Sequence, residues 1–383
     1  MASSKLWPST STLTSGVLPP DALFEVLLLL PAKELCRLRT VCRSWCVLTS
    51  DPHFVAAHKS LHAEPLFAVP FSEGDAWGVA IVGLSGHVLR RIRFGFNHIE
   101  VLRTHIDRIC VTRWCKPSSA TWVVNPATGV ALTLPGLHSD EFVGRCREDR
   151  YDWGLSMMHN CKTVTYAFGQ VASTGDYKVL RIRHPDASQP QLCDIMTLDR
   201  RSHGSWREKQ SPPGGLIRGQ GTMDCLAVNG VVYFLFESDI KEPGSIAPFN
   251  LDAEEWMPTL RGPEPLRNVV FRCFDRIIAL ANLNDCLVTV DNFFGVSFDL
   301  WFLMDRERSI WDKRYRLSIK QNCYYSVPLL VLDDGRIVIY EWMTRLLQCY
   351  DRTTGNLTTV LNIGDVGLGQ SPSIAVYTGS LLI

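Results

Sequence analysis

The chain has 383 residues, 46% hydrophobic and 20% charged, which is typical of folded globular proteins and long enough for about two domains. Basic and acidic residues number 39 each, so the formal net charge is zero and nothing attracts the chain generally to nucleic acid or anionic lipid. No apolar run is long enough to span a bilayer. We therefore predict neither nucleic acid nor a membrane as a partner.

Residues 1–17 are rich in serine and threonine and have no continuous apolar core, so we predict a disordered segment and not a secretory signal. The 13 cysteines are odd in number, irregularly spaced and include no Cys-x-x-Cys pair. A secreted disulfide framework has the opposite properties. The cysteines are therefore predicted to be reduced and mostly buried, in a cytoplasmic or nuclear protein.

A helical module is predicted at 18–60. Asp21 follows two prolines and is placed to cap the first helix, because its carboxylate can accept a free N–H of the first turn. Pro31 ends this helix, since its ring cannot continue the hydrogen-bond ladder. The spacing i, i+3, i+4 and i+7 gives one apolar face, formed by Leu23, Val26, Leu27 and Leu30.

A second apolar stripe follows, and Asp51 with Pro52 begins a further helix that has Phe54 as its apolar anchor. The stripe consists of Leu35, Leu38, Val41, Cys42, Trp45 and Leu48. Leu28 and Leu29 give the first helix a surplus apolar face, which about forty residues cannot bury alone. By pattern alone, two interpretations are equal: this face docks on another protein, or it packs on the rest of the chain.

Six segments of this module, taken together and in order, resemble the F-box signature: 18–23 (LPPDAL), 25–27 (EVL), 30–33 (LPAK), 35–39 (LCRLR), 41–45 (VCRSW) and 51–54 (DPHF). The resemblance implies a three-helix module that binds the Skp-type adaptor of SCF ubiquitin ligases and, through it, a cullin. Its core and adaptor face would together comprise Leu18, Pro19, Leu23, Val26, Leu27, Leu30, Pro31, Leu35, Val41, Cys42 and Trp45. The pattern does not divide core from face.

From residue 64 to residue 383 short β-branched and aromatic runs alternate with turn residues, which predicts an all-β domain. The predicted strands include 121–124, 163–168, 178–182, 231–236, 286–290, 327–332 and 337–340. A weak repeat places Asp or Asn in a turn at 125, 199, 250, 305 and 351, and the last three intervals are near the roughly 50-residue period of kelch-like blades. We predict a β-propeller of about six blades, with a tryptophan after the turn packing between blades; an irregular pair of β-sandwiches is the alternative. An insertion around 137–160 would explain the longer first interval.

This region also resembles the F-box-associated domains of plant F-box proteins. The resemblance rests on 125–129 (NPATG), 175–179 (GDYKV), 228–233 (VNGVVY), 250–256 (NLDAEEW) and 333–336 (DDGR), in the expected order. It implies a propeller-like domain that binds substrate proteins.

No nucleotide-binding, metalloprotease or nucleophile-elbow motif is present in the sequence, so we predict no catalytic residue, no cofactor and no metal. Cys42 and Cys46 stand one helical turn apart without further ligands, which favours core or groove cysteines. His58 and His62 are interpreted as part of a solvated helix face. The acidic pairs Glu254–Glu255, Asp333–Asp334 and Asp140–Glu141 lie beside turns and are interpreted as solvated carboxylates.

These sequence features favour two alternative functions. The first is a non-catalytic substrate receptor of an SCF-type ubiquitin ligase, linking the adaptor to an unknown target protein. The alternative is a propeller that binds a small ligand or glycan, or acts as an enzyme, with the helical module only as a cap. A bare leucine face would favour the first, and a deep polar central pocket the second. Tyr151 and Trp153 are the predicted target contacts, because aromatic anchors among charges suit an interface.

Overall fold

The computed structural model describes residues 18–62, 64–74, 76–95, 99–113, 121–135, 164–184, 189–198, 204–217, 225–237, 244–266, 276–293, 297–318, 326–364 and 374–382. The chain divides into two compact units, Met1–Ala63 with Ser380–Ile383, and Glu64–Gly379. We call the first the helical unit and the second the β unit. The segment from residue 380 onward was grouped with the β domain in the sequence analysis, whereas in the structure it clusters with the helices.

The described part of the helical unit has four helices: α1 (Pro20–Leu28), α2 (Ala32–Leu38), α3 (Arg43–Ser50) and α4 (Pro52–Leu61). The resemblance implied three helices, and the apolar stripe that runs from residue 35 to residue 48 spans both α2 and α3. Cys42 separates these two helices, because its φ of −160° and ψ of 164° are extended. Val41 and Cys42 therefore lie in a corner between helices.

Prolines and one aspartate set the helix boundaries. Pro20 occupies the first turn of α1, where a fixed φ suits the helix and the missing N–H has no intrahelical partner to lose. The predicted cap by Asp21 is wrong, because Pro19 holds the N-cap position and Asp21 lies inside the first turn. The predicted start at Asp51 is confirmed: its Oδ1 accepts the N–H of His53 at 2.8 Å, which caps α4.

The described part of the β unit has 25 strands. In chain order they are β1 (Leu66–Glu73), β2 (Ala76–Gly83), β3 (Val88–Phe94), β4 (Ile99–Val101), β5 (His105–Ile106), β6 (Ile109–Arg113), β7 (Thr121–Val124), β8 (Ala131–Leu134), β9 (Val164–Gln170), β10 (Tyr177–Arg183), β11 (Leu192–Leu198), β12 (Arg207–Lys209), β13 (Cys225–Val228), β14 (Val231–Leu235), β15 (Ile246–Asn250), β16 (Glu255–Trp256), β17 (Arg276–Leu283), β18 (Cys286–Phe293), β19 (Ser297–Asp305), β20 (Ile310–Ser318), β21 (Ser326–Val331), β22 (Ile337–Glu341), β23 (Leu346–Asp351), β24 (Asn356–Asn362) and β25 (Ala375–Tyr377). Each of the seven segments predicted as strands coincides with one of them, which confirms those predictions.

These strands form six sheets, which we number as blades 1 to 6. Blades 2 to 6 are four-stranded, in the orders β4-β6-β7-β8, β9 to β12, β13 to β16, β17 to β20, and β21 to β24. Blade 1 has the order β3-β2-β1-β25-β5, and β25 pairs antiparallel with β1. One blade is thus assembled from the beginning and the end of the unit, which closes the ring.

Neighbouring blades bury apolar faces against each other. In β10, Val179 packs in the cluster shared by blades 2 and 3, and the next residue, Leu180, packs in the cluster shared by blades 3 and 4. This follows from the alternation of side chains along a strand. Further clusters join blades 4 and 5, 5 and 6, and 6 and 1. The predicted six-bladed propeller is confirmed.

The predicted turns lie between the third and fourth strands of the blades, and their side chains shape them locally. Oδ1 of Asn125 accepts the N–H of Ala127 at 3.0 Å, and Oδ1 of Asp351 accepts the N–H of Thr353 at 2.8 Å. A side chain that bonds to the backbone two residues later mimics a turn of the main chain. Asp199 lies outside the described residues.

The predicted tryptophans join neighbouring blades. Nε1 of Trp206 donates to O of Pro135, Nε1 of Trp256 to O of Gln210, and Nε1 of Trp311 to O of Arg261, each at 2.8 Å. Trp256 and Trp311 lie in the fourth strand of a blade and Trp206 just before one, so each bond links this part of a blade to the end of the preceding blade. The tryptophans of the repeat therefore make contacts between neighbouring blades, as predicted.

Candidate functional site

The eleven residues assigned to the helical module divide into a core and an exposed group. Leu27 and Leu35 are 1% and 0% exposed and pack together with Leu28 and Phe54. Three further members of the set pack against this cluster while keeping some exposure: Leu23, Leu30 and Trp45. These five residues hold the unit together, because their apolar surface is largely removed from water.

The other six predicted residues are exposed: Leu18, Pro19, Val26, Pro31, Val41 and Cys42. Val26 extends from α1, whereas Val41 and Cys42 lie in the corner between α2 and α3. Since these side chains do not build the core of the unit, they are free to contact a partner.

Two further apolar residues belong to this surface. Leu29 is 68% exposed and Val47 is 72% exposed. Leu29 stands three residues after Val26, so both share a face at the end of α1. The surplus apolar face of the first helix had already indicated Leu29. No sequence signal distinguished Val47 from the buried stripe, because it falls between two of its members.

Exposed apolar residues are concentrated on the helical unit. Six of the twelve large hydrophobic side chains exposed in the described part of the chain belong to residues 18–62, namely Leu18, Val26, Leu29, Val41, Val47 and Leu61. The β unit supplies the other six from a much longer stretch of sequence. Exposed apolar side chains are candidates for contact with another protein. We call Val26, Leu29, Val41 and Val47 the docking surface.

Two histidines, His58 in α4 and His62 at its C-cap position, fix the end of α1 beside Leu29. Nε2 of His58 lies 2.9 Å from O of Leu30, and Nε2 of His62 lies 2.9 Å from O of Leu28. Carbonyls at the end of a helix have no partner within the helix, so these bonds satisfy them and hold the turn that presents Leu29. The interpretation of both histidines as solvated is wrong for His58, which is buried. Desolvation is the main cause that lowers the pKa of His58, and the charge of His62 lowers it further.

Cys42 and Cys46 are both exposed, so a position in the core is wrong for them, while a position in a groove stays a prediction. The extended backbone at Cys42 turns its side chain away from the apolar cluster. Its Sγ lies 3.0 Å from Oγ of Ser44, and the hydrogen bond with this hydroxyl lowers the pKa of the thiol. Cys110 is buried in blade 2, as predicted for most of the cysteines.

In the β unit, the acidic pair Glu254–Glu255 contains one ion-paired and one solvated residue. Glu254 contacts Nζ of Lys178 at 2.9 Å, Nζ of Lys209 at 2.7 Å and the guanidinium of Arg207. Desolvation alone would raise its pKa, but the hydrogen bonds from Lys209 and Lys178 and the charges of Lys178 and Arg207 lower it to about 2. The solvated interpretation is therefore wrong for Glu254. Asp333 and Asp334 are exposed, as predicted.

A small cavity of about 10 Å³, with room for about one water molecule, is lined by Leu102, Arg103, Tyr166, Ala167, Phe168, Cys225, Leu226 and Ala227. Arg103 is its one charged lining residue, and its guanidinium donates to O of Leu280. Arg103 follows β4 of blade 2 and Leu280 lies in blade 5, so this bond crosses the ring. Desolvation and the charge of Arg103 lower the pKa of His105 to about 3, which keeps this imidazole neutral.

The predicted target contacts Tyr151 and Trp153, the insertion at 137–160 and the acidic pair Asp140–Glu141 lie outside the described residues. Among the residues that the structure does describe, no group of three or more histidine, cysteine, aspartate or glutamate side chains is placed to hold a metal ion. None of the helices in this part of the chain is long and apolar enough to cross a membrane.

Similarity searches relate this chain to known proteins. Among curated proteins, it is 24% identical over 352 residues to an F-box/LRR-repeat protein of Arabidopsis thaliana, covering 86% of this chain and 76% of that protein. It is 24% identical over 356 residues to an F-box/kelch-repeat protein of the same plant, covering 86% of each. Among solved structures, TolB from Acinetobacter baumannii aligns over 80% of this chain and 67% of its own, with 9% identity and a TM-score of 0.43, too low to carry an argument.

Two protein families match parts of the sequence. Residues 16–58 match the family described as F-box-like. Residues 94–360 match the family described as F-box associated beta propeller domain, and this match covers more than half of the chain. Together with the six blades and the preceding helices, these matches show that the chain belongs to the family of F-box proteins with an F-box-associated β-propeller domain.

Proposed function

We propose that the chain is the substrate-recognition subunit of an SCF-type ubiquitin ligase. The helical unit binds a Skp-type adaptor and, through it, a cullin, while the β unit holds a target protein. The chain itself forms no covalent bond in this proposal. It raises the effective concentration of the target near a ubiquitin-charged enzyme that the complex carries. It acts in the cytoplasm or nucleus, where its described cysteines, all free in the structure, stay reduced.

The observation that carries this proposal is the docking surface, which lies over a core that is already complete. Leu27 and Leu35 are buried without help from Val26, Leu29, Val41 or Val47. Burying a leucine or valine side chain contributes roughly 1.5–3 kcal/mol. Leu29 and Val47 together would therefore contribute about 3–6 kcal/mol to adaptor binding, enough to decide whether a complex survives purification.

The test is co-expression with a Skp-type adaptor, followed by size-exclusion chromatography. The wild type is expected to co-elute with the adaptor, whereas the double variant Leu29→Asp, Val47→Asp is expected to elute alone. Both positions are exposed, so the substitutions leave the core intact. Asp at Leu27 would instead unfold the unit, because that side chain is buried.

The matched control is Val130→Asp in the β unit, since Val130 is 68% exposed, as Leu29 is. This control is expected to bind the adaptor like the wild type. Failure of the wild type to co-elute, or equal binding by the double variant, would contradict the proposal.

The geometry of the β unit supports a protein target over a small ligand. Ligand pockets typically have volumes of about 300–1,000 Å³ with several convergent polar groups. The cavity lined by Arg103 has a volume of only about 10 Å³, and this arginine, the one charged residue among its described lining, is already bonded across the ring. We therefore propose that the target binds on surface loops of the propeller. Affinity purification with the proteasome inhibited would identify it, as a protein that accumulates with the chain.

A further inference from the structure

The core of the helical unit includes a segment that lies far away in the sequence. Leu382 is 0% exposed and belongs to the same cluster as Leu27, Leu35 and Phe54. Sγ of Cys36 contacts O of Leu381 at 3.7 Å, across 345 positions of sequence. The helical unit therefore includes residues that follow the last strand of the propeller.

Directional bonds hold this segment in place. Arg39 is the C-cap residue of α2, and its guanidinium donates to O of Leu382. The same side chain donates to Oγ1 and O of Thr49 in α3, at 3.1 Å and 2.6 Å. Within the segment, the N–H of Leu382 donates to Oγ of Ser380 at 3.1 Å. Arg39 thus joins α2, α3 and the remote segment.

The helices that Arg39 joins need such support. α2 has 7 residues and α3 has 8. Helices of this length are unstable alone, and packing supplies most of their stability. The corner between them carries Val41 of the docking surface, and α3 carries Val47. Loss of the segment would therefore loosen the part of the surface that these two residues form.

We infer that residues 380–382 are an integral part of the adaptor-binding module and position its α2–α3 corner for the Skp-type adaptor. This inference rests on the proposed function. Only Thr378 and Gly379 separate the segment from β25, which closes the propeller. Adaptor binding by this protein therefore requires residues on both sides of the propeller sequence.

The test uses the full chain with Leu382→Ala, and Leu381→Ala as the matched control. Leu381 belongs to the same segment but is only partly buried, and its carbonyl contact survives the substitution. Hydrogen exchange of the amides of α2 and α3 is expected to become roughly 30-fold faster or more in Leu382→Ala. It is expected to change little in Leu381→Ala. The amides of β10 serve as the reference and are expected to keep wild-type protection in both variants.

Adaptor affinity is measured on the same proteins by calorimetry. Leu382→Ala is expected to raise the Kd for the purified Skp-type adaptor at least about tenfold, and Leu381→Ala to leave it unchanged. Wild-type affinity in Leu382→Ala would overturn the inference, whether or not the protection of α2 and α3 changes. If Leu382→Ala does not fold, Arg39→Lys replaces it, because lysine keeps the charge but cannot reach Thr49 and Leu382 together.

The two proposals fail in different ways. If the wild type does not bind the adaptor, the proposed function is wrong. Normal binding by both the wild type and Leu382→Ala would instead overturn the inference alone. The exchange of α2 and α3 reports on the segment in either case.

Discussion

Replacing Glu254 by glutamine is expected to destabilise the propeller, whereas the same change at the adjacent Glu255 is not. Glu254 lies among Lys178, Arg207 and Lys209, while Glu255 is exposed. In the variant, three cations would lose the carboxylate that offsets their repulsion. The two glutamates are neighbours in sequence, so the comparison isolates the effect of the cluster.

The magnitude follows from the pKa of Glu254, which is lowered from 4.5 to about 2. One pKa unit corresponds to about 1.4 kcal/mol, so the full shift corresponds to roughly 3 kcal/mol. Because the Arg207 side chain is 43% exposed, solvent screening reduces the effect, and we expect a loss of about 2 kcal/mol at neutral pH. Glu255→Gln is expected to change the free energy of unfolding by less than about 0.5 kcal/mol.

The pH dependence gives a second check. Because the folded-state pKa of Glu254 lies below its ordinary value, the carboxylate stabilises the fold fully above about pH 4.5, and this stabilisation is lost as the pH falls toward about 2. Urea unfolding followed by circular dichroism would measure all three proteins at about pH 7 and about pH 3. The gap between wild type and Glu254→Gln should shrink by more than half at the lower pH. A gap that is absent at neutral pH, or unchanged in acid, would refute the reasoning.

Three further changes test other parts of the structure. Trp256→Phe removes the N–H that bonds to O of Gln210 and should lower the free energy of unfolding, measured by urea denaturation, by about 1–2 kcal/mol. An unchanged free energy would show that this bond between blades is not stabilising. Gly230→Ala should lower the free energy of unfolding by about 1–3 kcal/mol, because φ of Gly230 is 77° and the new Cβ would lie 3.2 Å from Cβ of Ala172. Burial lowers the pKa of His58, so its neutral form stabilises the helical unit above about pH 6.5. Protection of the α4 amides from hydrogen exchange, corrected for intrinsic exchange, should therefore fall as the pH drops below that value. His58→Gln should abolish this loss of protection, and an identical loss in the variant would contradict its origin in His58.

Features that depend on neighbours in sequence could be predicted from the sequence. The side chains of Asn125 and Asp351 bond to the backbone two residues later, so the turns they form are encoded locally. Strands such as β7 and β22 are marked by their apolar β-branched residues. The spacing of Trp206, Trp256 and Trp311 after such turns indicated a repeated contact between blades, and the order of the F-box residues indicated the module at 18–60.

Features that depend on distant contacts were decided only by the tertiary structure. Val26 and Leu27 are adjacent and similarly apolar, yet only Leu27 is buried, because α4 and the segment at 380–382 cover one side of α1. Glu254 and Glu255 differ because blade 3 brings its cations to one of them. The strand order of blade 1 likewise needs the pairing of β25 with β1 across almost the whole β unit.

The sequence by itself therefore determined the two classes of secondary structure, the blade repeat and the family, since these follow from helical and strand periods and from bonds between near neighbours. The tertiary structure decided which apolar residues of the helical unit remain available to a partner, and that Leu382 completes its core. The physical reason is that burial depends on what the rest of the chain places against a side chain. Residues 345 positions apart have no shared local pattern from which such a contact could be predicted.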